Sequence, residues 1–501
     1  MNRSKPITGE LLALKNEIEG YALGYGLDFF PQVFEVCDYD TINILAAQGG
    51  FPSRYPHWKF GMDYDQLSKG YTYGLQKIYE MVINTDPCYA YLLQANNWVD
   101  QKIVMAHVYG HNDFFKNNAW FGHTNRKMMD VMANHGTKIR RYMERYGYDT
   151  VETFIDKVLS LENLLDINEL FETSSLKRHR LEQNQQQIVE NEDDGFLIDD
   201  RSQALKSFMR TKDRLNKKEE VKKDNDDYVA ERPLSHRTKD VLGYLIQYAP
   251  IEEWQADLIG ILREEAYYFL PQRMTKIMNE GWASYWHSTI MTQKALDASE
   301  IVDFAGTHAG VMHMIKQNIN PYKVGIELMR DIEYRWNRGM FGKDYNECTN
   351  MHDKLKWDTK LGKGKEKIFE VRKSHNDISF IDEFLTPDFC ERQQLFTYKY
   401  NPRSGRFEID SKDFQAIKQK LLSQLTNFGQ PIIEVEDGNY MNRKELLLNH
   451  VHYGVDLDVN FANETLRNLY AIWRRPVNLK TKYEEKEVVF HFDGKEFKPQ
   501  H

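Results

Sequence analysis

The strongest constraint on this chain is a gap in its hydrophobic pattern. Apart from one helical patch near 204–215, residues 172–235 carry no apolar period. They hold the polar run Glu182-Gln-Asn-Gln-Gln-Gln-Ile188 and the charge run Lys217-Lys-Glu-Glu-Val-Lys-Lys-Asp-Asn-Asp-Asp227. A segment of this kind cannot bury enough apolar surface to offset its ordering entropy. It reads as a disordered, charged insert or linker, so it divides whatever folds around it. Residues 1–171 and 236–378 are then expected to be two halves of a mostly helical main body. Residues 379–501 read as a smaller α+β domain. At 501 residues, more than one core is also the natural expectation.

The helical expectation comes from spacing. Leu11, Leu12, Ile18 and Tyr21 recur at helical intervals within 8–25. Similar periods mark 71–91, 97–116, 125–146 and 151–165. After the insert they mark 240–249, 252–269, 272–292 and 322–337, with a further helix starting near Ala295. The stretch 25–60 contains Gly49-Gly-Phe-Pro-Ser-Arg-Tyr-Pro-His-Trp-Lys-Phe-Gly61 and reads as aromatic loops over a core or cleft. Residues 345–378 read as charged and irregular. In the tail, 394–400 and 406–409 alternate like strands about the turn Asn401-Pro-Arg-Ser-Gly405. Further extended runs at 431–435, 446–450 and 487–492 flank helices at 414–425 and 462–473.

Composition removes several function classes. The net charge of -9 argues against a nucleic-acid binder. The four cysteines, Cys37, Cys88, Cys348 and Cys390, form no C-x-x-C pair, so neither a thiolate zinc site nor a disulfide framework is indicated. No apolar run approaches a membrane span or a secretory leader, which makes the cytoplasm the expected location.

Chemistry gathers in the run His107-Val-Tyr-Gly-His-Asn-Asp-Phe-Phe-Lys-Asn-Asn118. On a helix, His107 and His111 share one face a turn apart, the spacing at which two imidazoles hold one metal ion. Such pairs also occur as packed or surface imidazoles. Glu280, in a later amphipathic segment, adds a third donor and would complete an open, catalytic-type zinc site. Glu264 or Glu265 could supply a base from the neighbouring helix. Asp113 is either a carboxylate that orients a histidine or a helix-surface acid. Lys116, Asn117 and Asn118 either hold an anionic or amide-bearing substrate or cap their helix. His287 reads as a polar group near the cleft. His308 and His313 lie five apart, a poor match for one helical face.

The same run resembles the stage V sporulation protein R (SpoVR) family. So do Gly49–Gly61, Thr85-Asp-Pro-Cys-Tyr-Ala90, Thr275-Lys-Ile-Met-Asn-Glu-Gly-Trp-Ala-Ser-Tyr-Trp-His287, Asp331-Ile-Glu-Tyr-Arg-Trp336 and Leu469-Tyr-Ala-Ile-Trp-Arg-Arg-Pro-Val477. The resemblance covers nearly the whole chain apart from the insert. It implies a cytoplasmic bacterial protein, linked in spore formers to spore cortex formation. It further implies a serine protein kinase and a von Willebrand-type protein as partners, the basis of a regulatory or scaffold alternative. A second resemblance is to gluzincin metallopeptidases, which carry His-Glu-x-x-His and a later glutamate ligand, sometimes as Glu-Gly-Trp-Ala. Glu280-Gly-Trp-Ala283 matches the later motif. The first motif departs from it, because Val108 stands where the proton-accepting glutamate would be. This second likeness implies a zincin-like helical body and a zinc-dependent peptidase- or amidase-like hydrolase.

Overall fold

In chain order the first part runs β1 (Lys5–Pro6), α1 (Gly9–Gly24), β2 (Gln32–Cys37), α2 (Tyr39–Ala47), α3 (Trp58–Thr72), β3 (Glu80–Ile83), β4 (Cys88–Leu93), α4 (Trp98–Asn117), α5 (Met128–Tyr146) and α6 (Tyr148–Leu159). The second part runs α7 (Val241–Tyr248), α8 (Glu253–Met274), α9 (Lys276–Ile290), α10 (Ile301–Val311), α11 (Pro321–Arg338), α12 (Gly342–Glu347), α13 (Met351–Leu355), α14 (Gly364–Ser374), α15 (Asp377–Phe384) and α16 (Pro387–Arg392). The tail holds β5 (Thr397–Asn401), β6 (Arg406–Ser411), α17 (Phe414–Leu425), β7 (Ile433–Tyr440), β8 (Glu445–His450), α18 (Val459–Trp473), β9 (Val477–Tyr483), β10 (Lys486–Phe492) and β11 (Phe497–Gln500). This computed structural model describes residues 4–72, 77–169, 237–314 and 319–500, and numbering follows those residues. The expected insert at 172–235 lies outside the described residues. Among them, no helix is long and apolar enough to cross a membrane.

The described residues are mostly helical, with three sheets. The first sheet has the order β1-β2-β4-β3. Its centre pairs β2 and β4 in parallel, and β3 closes one edge antiparallel to β4. This corrects two sequence expectations. In place of the helix expected over 71–91, α3 ends at Thr72, and β3 and β4 follow. Pro87 interrupts the helical period, and Cys88-Tyr-Ala-Tyr-Leu-Leu93 is too short to bury itself as a helix but fits a central strand. The aromatic stretch 25–60 likewise contains β2 and α2, the latter capped by Asp38, whose carboxylate accepts from Thr41 N–H at 2.9 Å.

The irregular reading of 345–378 is also corrected, since α14 occupies Gly364–Ser374 and buries Ile368, Val371 and Arg372. In the tail, the order is β11-β10-β9-β8-β7. β8 and β9 are parallel, joined by α18 as the crossover that such a pair requires. Residues 377–425 pack their apolar side chains into the first core, with Phe380, Phe384, Phe389 and Ile417 among them. The second core joins α5 to α8 with α18 and the five-stranded sheet.

At the centre of the first core lies α4. Every residue from Val99 to Phe115 is buried. A helix buried all round is normally apolar, yet this one carries Asp100, Gln101, Lys102, His107, His111, Asn112 and Asp113. Buried polar groups must find partners or cost several kcal/mol, so each marks a specific interaction. Two glycines let the neighbouring helices come close. A Cβ on Gly110 would sit 2.6 Å from Ala283 Cα, and one on Gly281 would sit 2.4 Å from Gly325 backbone. Helices α4, α9 and α11 therefore cross almost backbone to backbone, at positions adjacent to His111 and Glu280.

Candidate metal centre

The close crossing brings three donors together. His107 Nε2 and His111 Nε2 each lie 3.4 Å from Glu280 Oε2. All three candidate ligand atoms fall within 4.8 Å of one another. A charge-assisted hydrogen bond is shorter, about 2.7–2.9 Å. Instead, 3.4 Å matches the edge of a tetrahedron about zinc, roughly 3.3 Å for bonds of ~2.05 Å. Glu280 Oε2 is buried and makes no hydrogen bond. An orphaned buried carboxylate oxygen facing two imidazole nitrogens is the donor set a divalent ion satisfies. The residues present therefore fit zinc.

The outer nitrogens are also occupied. His111 Nδ1 lies 2.9 Å from Asn279 Oδ1. Because that oxygen can only accept, Nδ1 carries a proton, and in the neutral ring Nε2 presents its lone pair to the cluster. His107 Nδ1 lies 3.0 Å from His287 Nδ1, and His287 Nε2 lies 3.2 Å from His308 Nδ1. Three imidazoles thus form a chain leading away from the cluster.

Electrostatics follow from burial and pairing. Burial alone would raise the Glu280 pKa, but the imidazoles of His111 and His107 outweigh it and hold the carboxyl well below its usual range. Burial lowers His107, and the charge of His111 adds to that. Burial also works against the charge on His111, yet Glu280 outweighs it and the pKa rises. His287 is pushed far down, by burial first and then by His107 and His308.

A cavity of about 580 Å³ opens beside His107, Glu280 and His287. Two of its wall residues carry further chemistry. Glu80, on the edge strand β3, has its carboxyl pushed up to about 7 by burial; His111 opposes the rise and Glu280 adds to it. Tyr322, in the first turn of α11, stacks on the His107 ring at 6.1 Å between centroids. Burial, then Glu280 and Glu80, raise its hydroxyl and keep it protonated.

Other site residues expected from sequence are placed elsewhere. Glu264 and Glu265 do not line the cavity. His135 sits between them, 3.1 Å from Glu265 and 3.4 Å from Glu264, and Glu265 also pairs with Arg54 at 2.5 Å. These two carboxylates face the α5 side of α8. Asp113 is neither a surface acid nor a histidine orienter. It is fully buried, receiving Arg372 Nη1 at 2.7 Å, Trp282 Nε1 at 2.8 Å and Asp28 N–H at 2.8 Å. It ties α4 to α9 and α14. Lys116 pairs with Asp28, Asn117 donates to the Asp28 and Asp113 carbonyls, and Asn118 donates to the Arg372 and His375 carbonyls. These contacts tie the end of α4 to the Asp28 loop and to the end of α14, and only the bond from Asn117 to Asp113 lies within their own helix. His287 stands directly behind His107.

Sequence reasoning missed Glu80, Tyr322, Asn279 and His308. Glu80 was hidden inside a stretch read as helix. His308 was set aside on its spacing to His313, although its partner is His287. Asn279 was legible in principle, being adjacent to Glu280 on the same segment.

A family model described as SpoVR like protein matches residues 7–430, and one described as SpoVR-like C-terminal domain matches residues 431–484. The chain is similar to a protein of Escherichia coli (strain K12) described as uncharacterized protein YcgB. The two are 29% identical over 501 residues, covering 94% of this chain and 92% of the relative. No solved structure matches.

Proposed function

This chain belongs to the SpoVR-like family, and we propose that it is a zinc-dependent hydrolase of amide bonds. One observation carries the reading: two imidazole nitrogens lie each 3.4 Å from the same buried carboxylate oxygen, which makes no hydrogen bond, at the edge of a cavity. Two nitrogens and one oxygen favour zinc over the oxygen-seeking Mg²⁺ and Ca²⁺. Three protein ligands leave a coordination position for substrate. When bound, the ion supplies Lewis-acid polarisation of a carbonyl oxygen and a ready source of nucleophile.

The chain's own residues supply the rest. Glu80 takes the place of the glutamate that Val108 displaces from the gluzincin pattern. Its raised carboxyl is suited to accept a proton near neutral pH and return it to a leaving amine. The protonated Tyr322 hydroxyl donates to the oxygen that gains charge. His287 and Asn279 fix the rings of His107 and His111. The family's link to spore cortex formation favours amides of cell-wall precursors or regulatory peptides as substrates.

The test is metal content by elemental mass spectrometry on wild type, His107→Ala, Glu280→Gln and Glu80→Gln. Wild type and Glu80→Gln should hold about one Zn²⁺ per chain. His107→Ala and Glu280→Gln should lose it while remaining helical by circular dichroism. Stoichiometric zinc in both ligand variants would refute the site. Glu80→Gln should retain zinc and lose amide hydrolysis.

A further inference from the structure

The cavity walls carry information about substrate charge. Two lysines line it, Lys77 and Lys276. Lys77 is already engaged: its ammonium lies 3.4 Å from Asp100 Oδ2 and 4.3 Å from the Tyr79 ring centroid. Lys276 is different. It opens α9, one turn before Glu280 on the same face, at an axial offset of about 6 Å. Among the described residues its ammonium has no ion-pair partner. Asp377 feels its charge, but Asp377 gives both carboxylate oxygens to the amides of Ile277 and Met278, at 2.9 Å each.

The N-terminus of α11 faces the same cavity through Asn320, Pro321 and Tyr322, with no acid in its first turn. The positive end of an uncompensated helix dipole therefore adds to the Lys276 charge. Helices α4 and α9 run antiparallel, with His107 beside His287 and His111 beside Asn279, so Ile103 and Val104 line the cavity on the far side of the cluster from Lys276.

We propose that Lys276 binds the free carboxylate of a short acyl-amino-acid or peptide substrate, one or two residues beyond the amide that is cleaved. The inference rests on the hydrolase reading and specifies its substrate class. One or two extended residues span roughly 3.5–7 Å, which covers the turn between Lys276 and Glu280. A single ammonium, with no guanidinium beside it, matches a single negative charge better than a phosphate dianion. The acids Glu80 and Glu280 further down oppose a second negative charge. The apolar wall beyond the cluster takes the acyl side of the substrate, and about 580 Å³ accommodates a molecule of two to three residues. In hydrolysis, the water oxygen bonds to the carbonyl carbon and the C–N bond breaks. One water proton passes through Glu80 to the amine, and the new carboxylic acid releases the other to solvent.

The experiment is calorimetric titration of the full chain, zinc-free and zinc-reconstituted, with N-acetyl-leucine and with neutral N-acetyl-leucinamide. It is repeated on Lys276→Met, with zinc content measured on every sample. Wild type should prefer the carboxylate by about ten-fold, and Lys276→Met should lose that preference while holding zinc as wild type does. Equal affinity for the two ligands in wild type overturns the proposal. So does an unchanged preference in Lys276→Met, or no binding of either ligand. A carboxylate preference that depends on Lys276 in protein unable to hold zinc supports the recognition and refutes the metal reading alone. Bound zinc without a preference does the reverse.

Discussion

Replacing Gly110 by alanine isolates the helix crossing that assembles the candidate centre. The added Cβ would lie 2.6 Å from Ala283 Cα and 3.2 Å from Ala283 Cβ. Non-bonded carbons settle at about 3.5–4.0 Å, so α4 and α9 must part by roughly 1 Å. The obstacle is backbone, and no rotamer change relieves it. Overpacking of this kind costs about 1–3 kcal/mol, set against a gain of up to ~1 kcal/mol from alanine's helix propensity. Net destabilisation should therefore be modest. The 3.4 Å separations from His107 and His111 to Glu280 are far less forgiving. Metal–ligand distances tolerate about 0.2 Å, so a ~1 Å separation should reduce zinc affinity by well over ten-fold. Competition against a chromophoric chelator reads the affinity, and a melt of the zinc-free protein reads the packing cost separately. Gly260→Ala is the control, since a Cβ there meets nothing within 4 Å and should be neutral or slightly stabilising. Wild-type zinc affinity and an unchanged melt in Gly110→Ala would refute the argument that the crossing sets the ligand spacing.

Three other outcomes follow from the same contacts. Asp113→Ala strands the Arg372 guanidinium in a buried position and should cost about 3–5 kcal/mol in urea unfolding, whereas a loss under 1 kcal/mol would show that the ion pair does not hold α4 to α14. His135 has its pKa raised to about 9; burial opposes this, but Glu264 and Glu265 prevail. Its stabilising contribution is then complete below the unfolded value of about 6.5 and is lost as pH rises through 9, so the melting difference between wild type and His135→Gln should shrink across that window. A pH-independent difference would contradict the charged pairing. Finally, zinc removal should lower the melting temperature in a concentration-dependent way, because an ion bound only by the folded state at 100 times its Kd stabilises by about 2.7 kcal/mol; identical melts with and without chelator would count against binding.

How much was legible in the sequence depended on whether the signal was local. His107 and His111 are one turn apart on one helix, so their spacing alone put them on one face. Glu280 could be suggested from its motif, but its approach depends on Gly110 meeting Ala283 and Gly281 meeting Gly325, contacts between segments far apart in the chain. Asp113 illustrates the same limit. Its helix position allowed an exposed reading, and only the packing of α14, read as irregular, brings Arg372 to it. Glu264 and Glu265 are separated from Glu280 by the break between α8 and α9 at Thr275, and their carboxylates meet His135 rather than the cavity, a placement that closeness in sequence does not reveal. Periodicity misread Glu80 outright, because a short apolar strand cannot be told from a helix segment by spacing.

Burial also explains why the position after His107 holds valine. Val108 is fully buried within the first core. A glutamate there would carry an unpaired charge into that apolar surround, at a cost of several kcal/mol. The cavity opens instead toward β3, on the side where Glu80 stands. On the hydrolase reading, the proton acceptor therefore comes from a sheet edge rather than from the ligand helix. The two arrangements have different mechanical consequences. A base on the ligand helix moves rigidly with the imidazoles, whereas Glu80 is positioned by its antiparallel pairing with Leu92. Its distance to substrate then depends on how the β3–β4 edge sits against α4. Changes at that edge should alter turnover while leaving zinc affinity intact, the opposite of the pattern expected from the Gly110 crossing.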